Sequence, residues 1–307
     1  MDHLLKLLDC TPEEITSLLD LADQLKYERK HHIPHRYLEG KSLGLIFQKS
    51  STRTRVSFET GMFQLGGQAL FLSSRDLQIG RGEPVQDTAR VLSRYLDGIM
   101  IRTFEQKEVE DLAKHGSIPI INGLTDFCHP CQVLADLMTV REYKGSLEGL
   151  KMAYIGDGNN MCSSLIVGAL KTGMHIRVAC PEGYDPPQEI LDFAAGYGSR
   201  FLLTRDPIEA AEGADDVQTD VWVSSGMEAQ TDRRRCDFAG YTVTDEVMAA
   251  AKADAILQHP LPACRGEEVS GEMFERHAAE IFDEAENRLH VQKAVLVKLL
   301  GREPASV

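Results

Sequence analysis

The sequence predicts an α/β protein built from two doubly wound parallel-sheet domains. Short apolar runs alternate with longer stretches of helical period, and a polar break near the middle of the chain restarts that alternation. The length of 307 residues suits two globular domains better than one.

The first helix has a complete start signal in Thr11-Pro12-Glu13-Glu14: a capping threonine, proline at the first helical position and a glutamate placed to close a capping box. Residues 43–47, 69–72, 98–101 and 118–121 are the apolar runs expected as the first set of strands, and 56–65 reads as a helix after the first of them. An amphipathic stretch at 130–143 leads to Lys144-Gly145-Ser146, expected as a hinge. The second set of strands is expected at 151–155, 175–180, 200–203, 217–223 and 255–258. Parallel neighbours need a crossover helix between them, and the intervening stretches supply it. Residues 286–300 are helical in period and free of proline, which predicts a last helix packing back on the first domain. The expected domains are 1–140, joined by the helix at about 286–307, and 150–285, with the substrate site in the cleft between them.

Composition narrows the function. The chain is 43% hydrophobic and 26% charged, with a net charge of −14, so a polyanion would be repelled and nucleic acid is not an expected partner. No apolar run reaches the roughly 18 to 20 residues of a membrane span, and Met1-Asp2-His3 lacks a signal-peptide layout. A cytoplasmic protein with no membrane partner is expected. Seven scattered cysteines argue for reduced thiols rather than a disulfide framework. Cys128 and Cys131 form a C-x-x-C, but no second pair accompanies it, so neither a metal nor any other cofactor is expected.

The densest chemical signal is Lys49-Ser50-Ser51-Thr52-Arg53-Thr54-Arg55, between the first strand and a helix. Backbone N–H groups at a helix start, with hydroxyls and guanidinium groups beside them, suit phosphate oxygens. Arginines in a first helical turn oppose the helix dipole and are poorly placed unless an anion meets them there. Arg102 and His129-Pro130-Cys131-Gln132 follow later strands of the same half, where ligands of open parallel sheets collect. In the second half, Gly156-Asp157-Gly158-Asn159-Asn160 enters a helix after a strand. The glycines also raise an NAD-dependent dinucleotide-binding oxidoreductase. The third glycine of that fingerprint would fall at Met161, however, and the next strand ends without an acidic residue.

Together these residues resemble the carbamoyltransferases, and more closely their ornithine branch. The motifs run in order along the chain: Ser51-Thr52-Arg53-Thr54, Gln78 in Leu77-Gln78-Ile79-Gly80, Asp87-Thr88-Ala89-Arg90-Val91-Leu92, Arg102, His129-Pro130-Cys131-Gln132, Gly156 to Asn160, Asp220-Val221-Trp222 and Glu284-Ala285-Glu286-Asn287-Arg288. The resemblance implies that Ser51, Thr52, Arg53, Thr54, Gln78, Arg102, His129, Gln132, Pro260, Leu261 and Arg288 hold carbamoyl phosphate. It implies that Asn160, Asp220, Ser224 and Ser225 hold L-ornithine, with Arg53, Arg102, His129 and Asp220 catalytic. It further implies citrulline formation in arginine metabolism and a homotrimer, or an assembly of trimers, with the loop near Gln78 reaching a neighbour's site.

Two departures fall on the amine side. Where the ornithine branch usually reads His-Cys-Leu-Pro, this chain has His259-Pro260-Leu261-Pro262; where it usually reads Ser-Met-Gly, this chain has Ser224-Ser225-Gly226. The first resembles the aspartate branch and keeps aspartate, putrescine or a weakly active paralogue as alternatives. The run Arg233-Arg234-Arg235 then has two readings, a carboxylate site or a solvated basic stretch, and the second is preferred. Asp220 argues against aspartate, because a buried acid repels an anionic side chain.

Overall fold

The structure is a computed structural model and describes residues 1–73, 82–224 and 226–301. Contacts divide the chain into one unit of Met1–Ala135 with Asn287–Val307 and another of Asp136–Glu286. The division falls inside two helices, α5 (Pro130–Lys144) and α12 (Ala278–Leu300).

The first unit holds a parallel sheet in the order β2-β1-β3-β4, formed by β1 (Ser42–Phe47), β2 (Gln68–Ser73), β3 (Gly98–Arg102) and β4 (Ile120–Leu124). Among the described residues, helices α2 (Thr52–Gln64), α3 (Val85–Leu92) and α4 (Gln106–His115) lie between these strands. Its core packs Ile46, Ile99, Ile101 and Ile120 of the sheet against Ala89, Val109 and Leu112 of the helices. The opening helix α1 (Pro12–Lys30) has the predicted capping box, with both the Thr11 side chain and Glu14 engaged.

The second unit holds β5 (Lys151–Ile155), β6 (His175–Ala179), β7 (Phe201–Thr204), β8 (Asp216–Thr219) and β9 (Ile256–Gln258), parallel in the order β7-β6-β5-β8-β9. The helices α6 (Asn160–Lys171), α7 (Gln188–Ala195), α8 (Pro207–Ala211), α9 (Thr231–Asp237), α10 (Asp245–Ala250) and α11 (Gly271–Arg276) complete it. Ala153, Ile155, Val217 and Leu257 meet Val247, Met273 and Phe274 in its core.

In both sheets the strand order reverses once, beside β1 and β3 in the first and beside β5 and β8 in the second. Loops leaving the carboxyl ends of such neighbours splay apart and leave room for a ligand.

Several expectations need correcting. The fourth strand begins at Ile120, and the strand expected at 217–223 is confined to Asp216–Thr219. The helix expected from 56 begins at Thr52, because Ser51 caps it. The stretch at 130–143 is helical but not amphipathic: residues 130 to 140 are all buried, as for a helix packed on every side. The last helix starts at Ala278, since nothing between 278 and 286 breaks the pattern. No described helix is long and apolar enough to cross a membrane.

Candidate active site

In the first unit the site begins at the end of β1. Ser51, in extended conformation, caps α2 by accepting from the Thr54 N–H (3.2 Å), which leaves the first helical turn facing outward without an acidic residue. Thr54 is fully buried, and its hydroxyl oxygen is the point on which the cationic side chains converge. Arg288 Nη2 donates to it at 2.8 Å, Arg102 Nη1 approaches to 3.4 Å, and the Ser51 hydroxyl lies 3.1 Å away. Thr54 is thus an organiser of guanidinium groups.

Each of these groups has a structural origin. Arg102 ends β3 at a register shift in its pairing with β4, and such an irregularity re-aims the side chain that follows it. Arg288 comes from α12, more than two hundred residues away in sequence. His129 stands just before α5, its carbonyl accepting from the Gln132 and Val133 N–H groups (3.2 and 3.3 Å).

The electrostatics are one-sided. Burial first, then Arg288 and Arg53, lower Arg102 to about 10. Burial and the same cations, Arg288, Arg102 and Arg53, hold His129 well below the usual imidazole range, so it is neutral at physiological pH. The charges that shift these two groups, Arg288 and Arg53 for both and Arg102 for His129, are positive. Concentrated like charge is unfavourable without a counter-anion, which marks a site for a multiply charged anion.

A neighbouring cavity of about 390 Å³ is lined by Phe47, Gln48, Ser50, Ser51, Thr52, Arg55, Phe71 and Ser73. Of the expected ligands it includes Ser51 and Thr52, whereas Arg102 and Arg288 gather at Thr54. Gln132 is buried in the first turn of α5, and Gln78 lies outside the described residues. Cys128 and Cys131 are buried thiols pushed up to about 12 by burial; Cys131 Sγ donates to the Asn122 carbonyl (3.6 Å). That environment favours the protonated thiol over the thiolate that a metal or redox role requires.

The second unit carries its own candidate set, centred on the buried acid Asp220. Asn159, the first of the asparagine pair expected to bond a polar substrate, though the resemblance implies a binding role only for Asn160, does two jobs. Its Oδ1 caps α6 by accepting from the Met161 and Cys162 N–H groups (2.9 and 3.2 Å), and its Nδ2 donates to Asp220 Oδ2 (3.0 Å). An asparagine directly before an apolar helical run is a cap signal, and that signal would have found it. Asp220 Oδ1 accepts from the Val221 N–H (2.8 Å). Burial raises the Asp220 carboxyl above the ordinary range, against the opposing hydrogen bonds from Asn159 and the Val221 N–H.

The remaining expected residues are dispersed. Asn160 opens α6, and its carbonyl accepts from the Ser164 hydroxyl (2.8 Å). Ser224 is half-buried, its carbonyl accepting from the Met227 N–H (3.0 Å), and Ser225 lies outside the described residues. Pro260 is buried and Leu261 half-buried, both beyond the end of β9. His259, which precedes them, is held by Glu268 (Nε2 to Oε1, 2.9 Å) and by Glu284, which accepts from its backbone N–H (2.9 Å). Cys264, Glu267 and Glu268 have ligand atoms within 4.8 Å of one another, but Glu267 already accepts from Arg235 and Glu268 from His259.

The glycine turn has an explanation within the protein. A Cβ on Gly158 would stand 2.3 Å from the Tyr184 carbonyl oxygen and 2.4 Å from Pro186 N, so this glycine admits the backbone of the next loop. The basic run is also corrected. Arg233 and Arg235 are exposed, but Arg234 is buried, because its guanidinium is enclosed by Asp157 and the Trp222 carbonyl.

Two family models match consecutive parts of the chain. Residues 2–142 match the aspartate/ornithine carbamoyltransferase carbamoyl-P binding domain, and residues 148–299 match the Asp/Orn binding domain of the same family. The ornithine carbamoyltransferase of Carboxydothermus hydrogenoformans is 54% identical over 297 residues, covering 95% of this chain and 96% of the relative. Among solved structures, ornithine carbamoyltransferase from Pyrococcus furiosus is similar with a TM-score of 0.92 and 49% identity over 97% of this chain and 96% of that one. The anabolic ornithine carbamoyltransferase of Campylobacter jejuni gives 0.92 and 44%, over 97% and 99%. Similarity of this extent along both halves, joined to a cationic and an acidic set of side chains, places the chain in the aspartate/ornithine carbamoyltransferase family.

Proposed function

We propose that this protein transfers the carbamoyl group of carbamoyl phosphate to the side-chain amine of L-ornithine, releasing L-citrulline and phosphate. The observation that carries this reading is the convergence of Arg102 and Arg288 on Thr54, near Arg53 and a neutral His129 whose imidazole these cations hold low.

Residues 1–140, with the last helix, serve as the carbamoyl-phosphate domain, and residues 150–285 as the amine domain. The N-terminus of α2, with Ser51, Thr52 and Arg53, takes the phosphate oxygens; Gln78, Gln132 and Arg288 complete that set. Arg102 and His129 donate to the carbonyl oxygen. The ornithine amine attacks the carbonyl carbon, the oxygen becomes negative, and the donors stabilise it. The carbon–oxygen bond to phosphate then breaks, and the phosphate leaves carrying the proton that the amine gives up. Asp220 orients the amine, Asn160, Ser224 and Ser225 hold the rest of the amino acid, and the carbonyl groups of Pro260 and Leu261 accept from the carbamoyl amide.

Aspartate fits less well as the acceptor. Its extra carboxylate needs a basic partner, yet Arg234 is engaged by Asp157, Arg235 by Glu267 and Arg233 by Asp237. Val56, Phe63 and Tyr95 stand exposed in the first unit, apolar side chains that contact between copies would cover in the homotrimer belonging to this reading. We place the reaction in arginine biosynthesis in the cytoplasm, where the seven free cysteines stay reduced.

The test is citrulline formation by the purified protein, with ornithine, aspartate and putrescine offered in turn. Citrulline with ornithine as the preferred acceptor supports the reading; carbamoyl-aspartate as the main product overturns it.

A further inference from the structure

We infer that Arg234 is a positioning residue for the amine half-site, tying together the two loops that carry Asn159 and Asp220. The inference rests on the carbamoyl-transfer reading only for what that half-site binds.

One guanidinium nitrogen touches both loops. Arg234 Nη1 donates to Asp157 Oδ2 at 2.6 Å and to the Trp222 carbonyl oxygen at 2.8 Å. Asp157 stands two residues before Asn159 on the turn between β5 and α6, and Trp222 two residues after Asp220 on the loop leaving β8. The Asn159–Asp220 hydrogen bond (3.0 Å) therefore spans two segments that Arg234 already links. A third bond, Nε to Gln230 Oε1 (3.2 Å), fixes the guanidinium from the residue just before its own helix. The cation also lies 5.1 Å from the centre of the Tyr184 ring, and Trp222 stacks on Phe238 with ring centres 5.8 Å apart.

The pairing is poorly explained by stability alone. Both side chains are only 8% exposed, and a buried ion pair rarely improves on apolar packing of the same volume. It does fix distance and direction. Groups that orient a reacting amine need placement to within about 0.5 Å, and a shift of about 1 Å can cost on the order of a hundredfold in rate. The other two arginines of the run are themselves exposed and pair elsewhere, Arg233 with Asp237 and Arg235 with Glu267.

Trp222 is the only tryptophan in the chain, so its emission reports on this loop without reference to activity. The experiment compares Arg234→Met, Arg234→Lys and Asp157→Asn with the parent in ornithine and carbamoyl-phosphate kinetics, melting temperature and tryptophan emission. For Arg234→Met the ornithine KM should rise about tenfold or more, with the carbamoyl-phosphate KM within about twofold and a red-shifted emission. Arg234→Lys should recover part of the loss, and Asp157→Asn should move the same readouts less far. The inference is overturned if ornithine KM and emission are unchanged, or if both substrates suffer equally and lysine rescues neither. Should Arg234→Met fail to fold, Arg234→Lys and Asp157→Asn decide by the same criteria. If the parent forms no citrulline, the functional reading fails, and the linking of the loops stands or falls on the emission of those two variants.

Discussion

Replacing Thr54 by valine removes one hydroxyl and keeps the shape of a buried side chain. In the parent that oxygen accepts from Arg288 at 2.8 Å and lies 3.4 Å from Arg102. The second distance is beyond the usual range for an N–H···O bond, so only the first is counted. A hydrogen bond from a charged donor contributes about 1.5–3 kcal/mol, which corresponds to about 10- to 100-fold in binding. Without the hydroxyl, one bond that orients Arg288 beside Arg102 and Arg53 is lost, and part of the ordering of its guanidinium becomes a cost of binding the anion. The carbamoyl-phosphate KM and the dissociation constant of inorganic phosphate, by calorimetry, should both rise by that factor, with ornithine KM little changed. Thr54→Ser keeps the oxygen and should bind phosphate nearly as well as the parent, although the lost methyl lowers stability by about 1 kcal/mol. The reasoning is refuted if Thr54→Val binds phosphate within twofold of the parent, or if serine is as damaging as valine.

Asn159→Ala should lower kcat/KM for ornithine about tenfold, because a buried carboxylate loses its donor. Burial already raises Asp220 and the Asn159 bond opposes it, so the acidic limb of the ornithine pH profile should also move to higher pH. Lys293 is buried between His35 Nε2 (2.9 Å) and Gln64 Oε1 (3.1 Å), and burial lowers it from 10.5 to about 8. Between those values the unfolded chain keeps a proton that the folded chain has lost, so stability rises with pH by up to about 3 kcal/mol, and Lys293→Met should remove that rise when denaturation is compared at pH 7.5 and 10. Pro260→Cys combined with Ser225→Met should raise ornithine turnover about tenfold or more if the missing thiol limits proton handling, and unchanged steady-state turnover would discard that account.

What could be read from the residues was local. Thr11 and Glu14 announce their helix because both partners of the capping box lie within one turn. The phosphate loop is legible for the same reason: hydroxyls, arginines and a helix start are contiguous from Ser51 to Arg55. What escaped depends on partners brought from afar. Nothing near Thr54 says that its hydroxyl receives a guanidinium from residue 288, so the family motif named both residues without their contact. Arg234 looks like the middle of a solvated run until Asp157 and the Trp222 carbonyl are placed beside it. Its spacing held a clue, since Gln230 and Phe238 lie four residues to either side and share its face of the helical stretch. The amphipathic reading of α5 failed because scattered polar residues imitate a wet face, while Gln132, Asp136 and Thr139 are in fact buried.

The departure at Pro260 can be separated from the scaffold that carries it. The loop beyond β9 is held through residues 259 and 261, not through 260. The His259 backbone N–H donates to Glu284 Oε2 (2.9 Å), and the Leu261 N–H donates to His259 Nδ1 (2.9 Å). Because Nδ1 is thereby the acceptor, Nε2 carries the proton and donates it to Glu268 Oε1 (2.9 Å), which also accepts from the Cys264 N–H (2.6 Å). None of these bonds uses the amide nitrogen of residue 260, so proline, which lacks that donor, is accepted there without a broken contact. The carbonyl of residue 260 is kept whichever side chain it bears. Proline at 260 thus lacks a thiol without costing the loop any of these bonds. For that reason a cysteine restored at 260 should change the handling of the amine proton and leave carbamoyl-phosphate binding as it is.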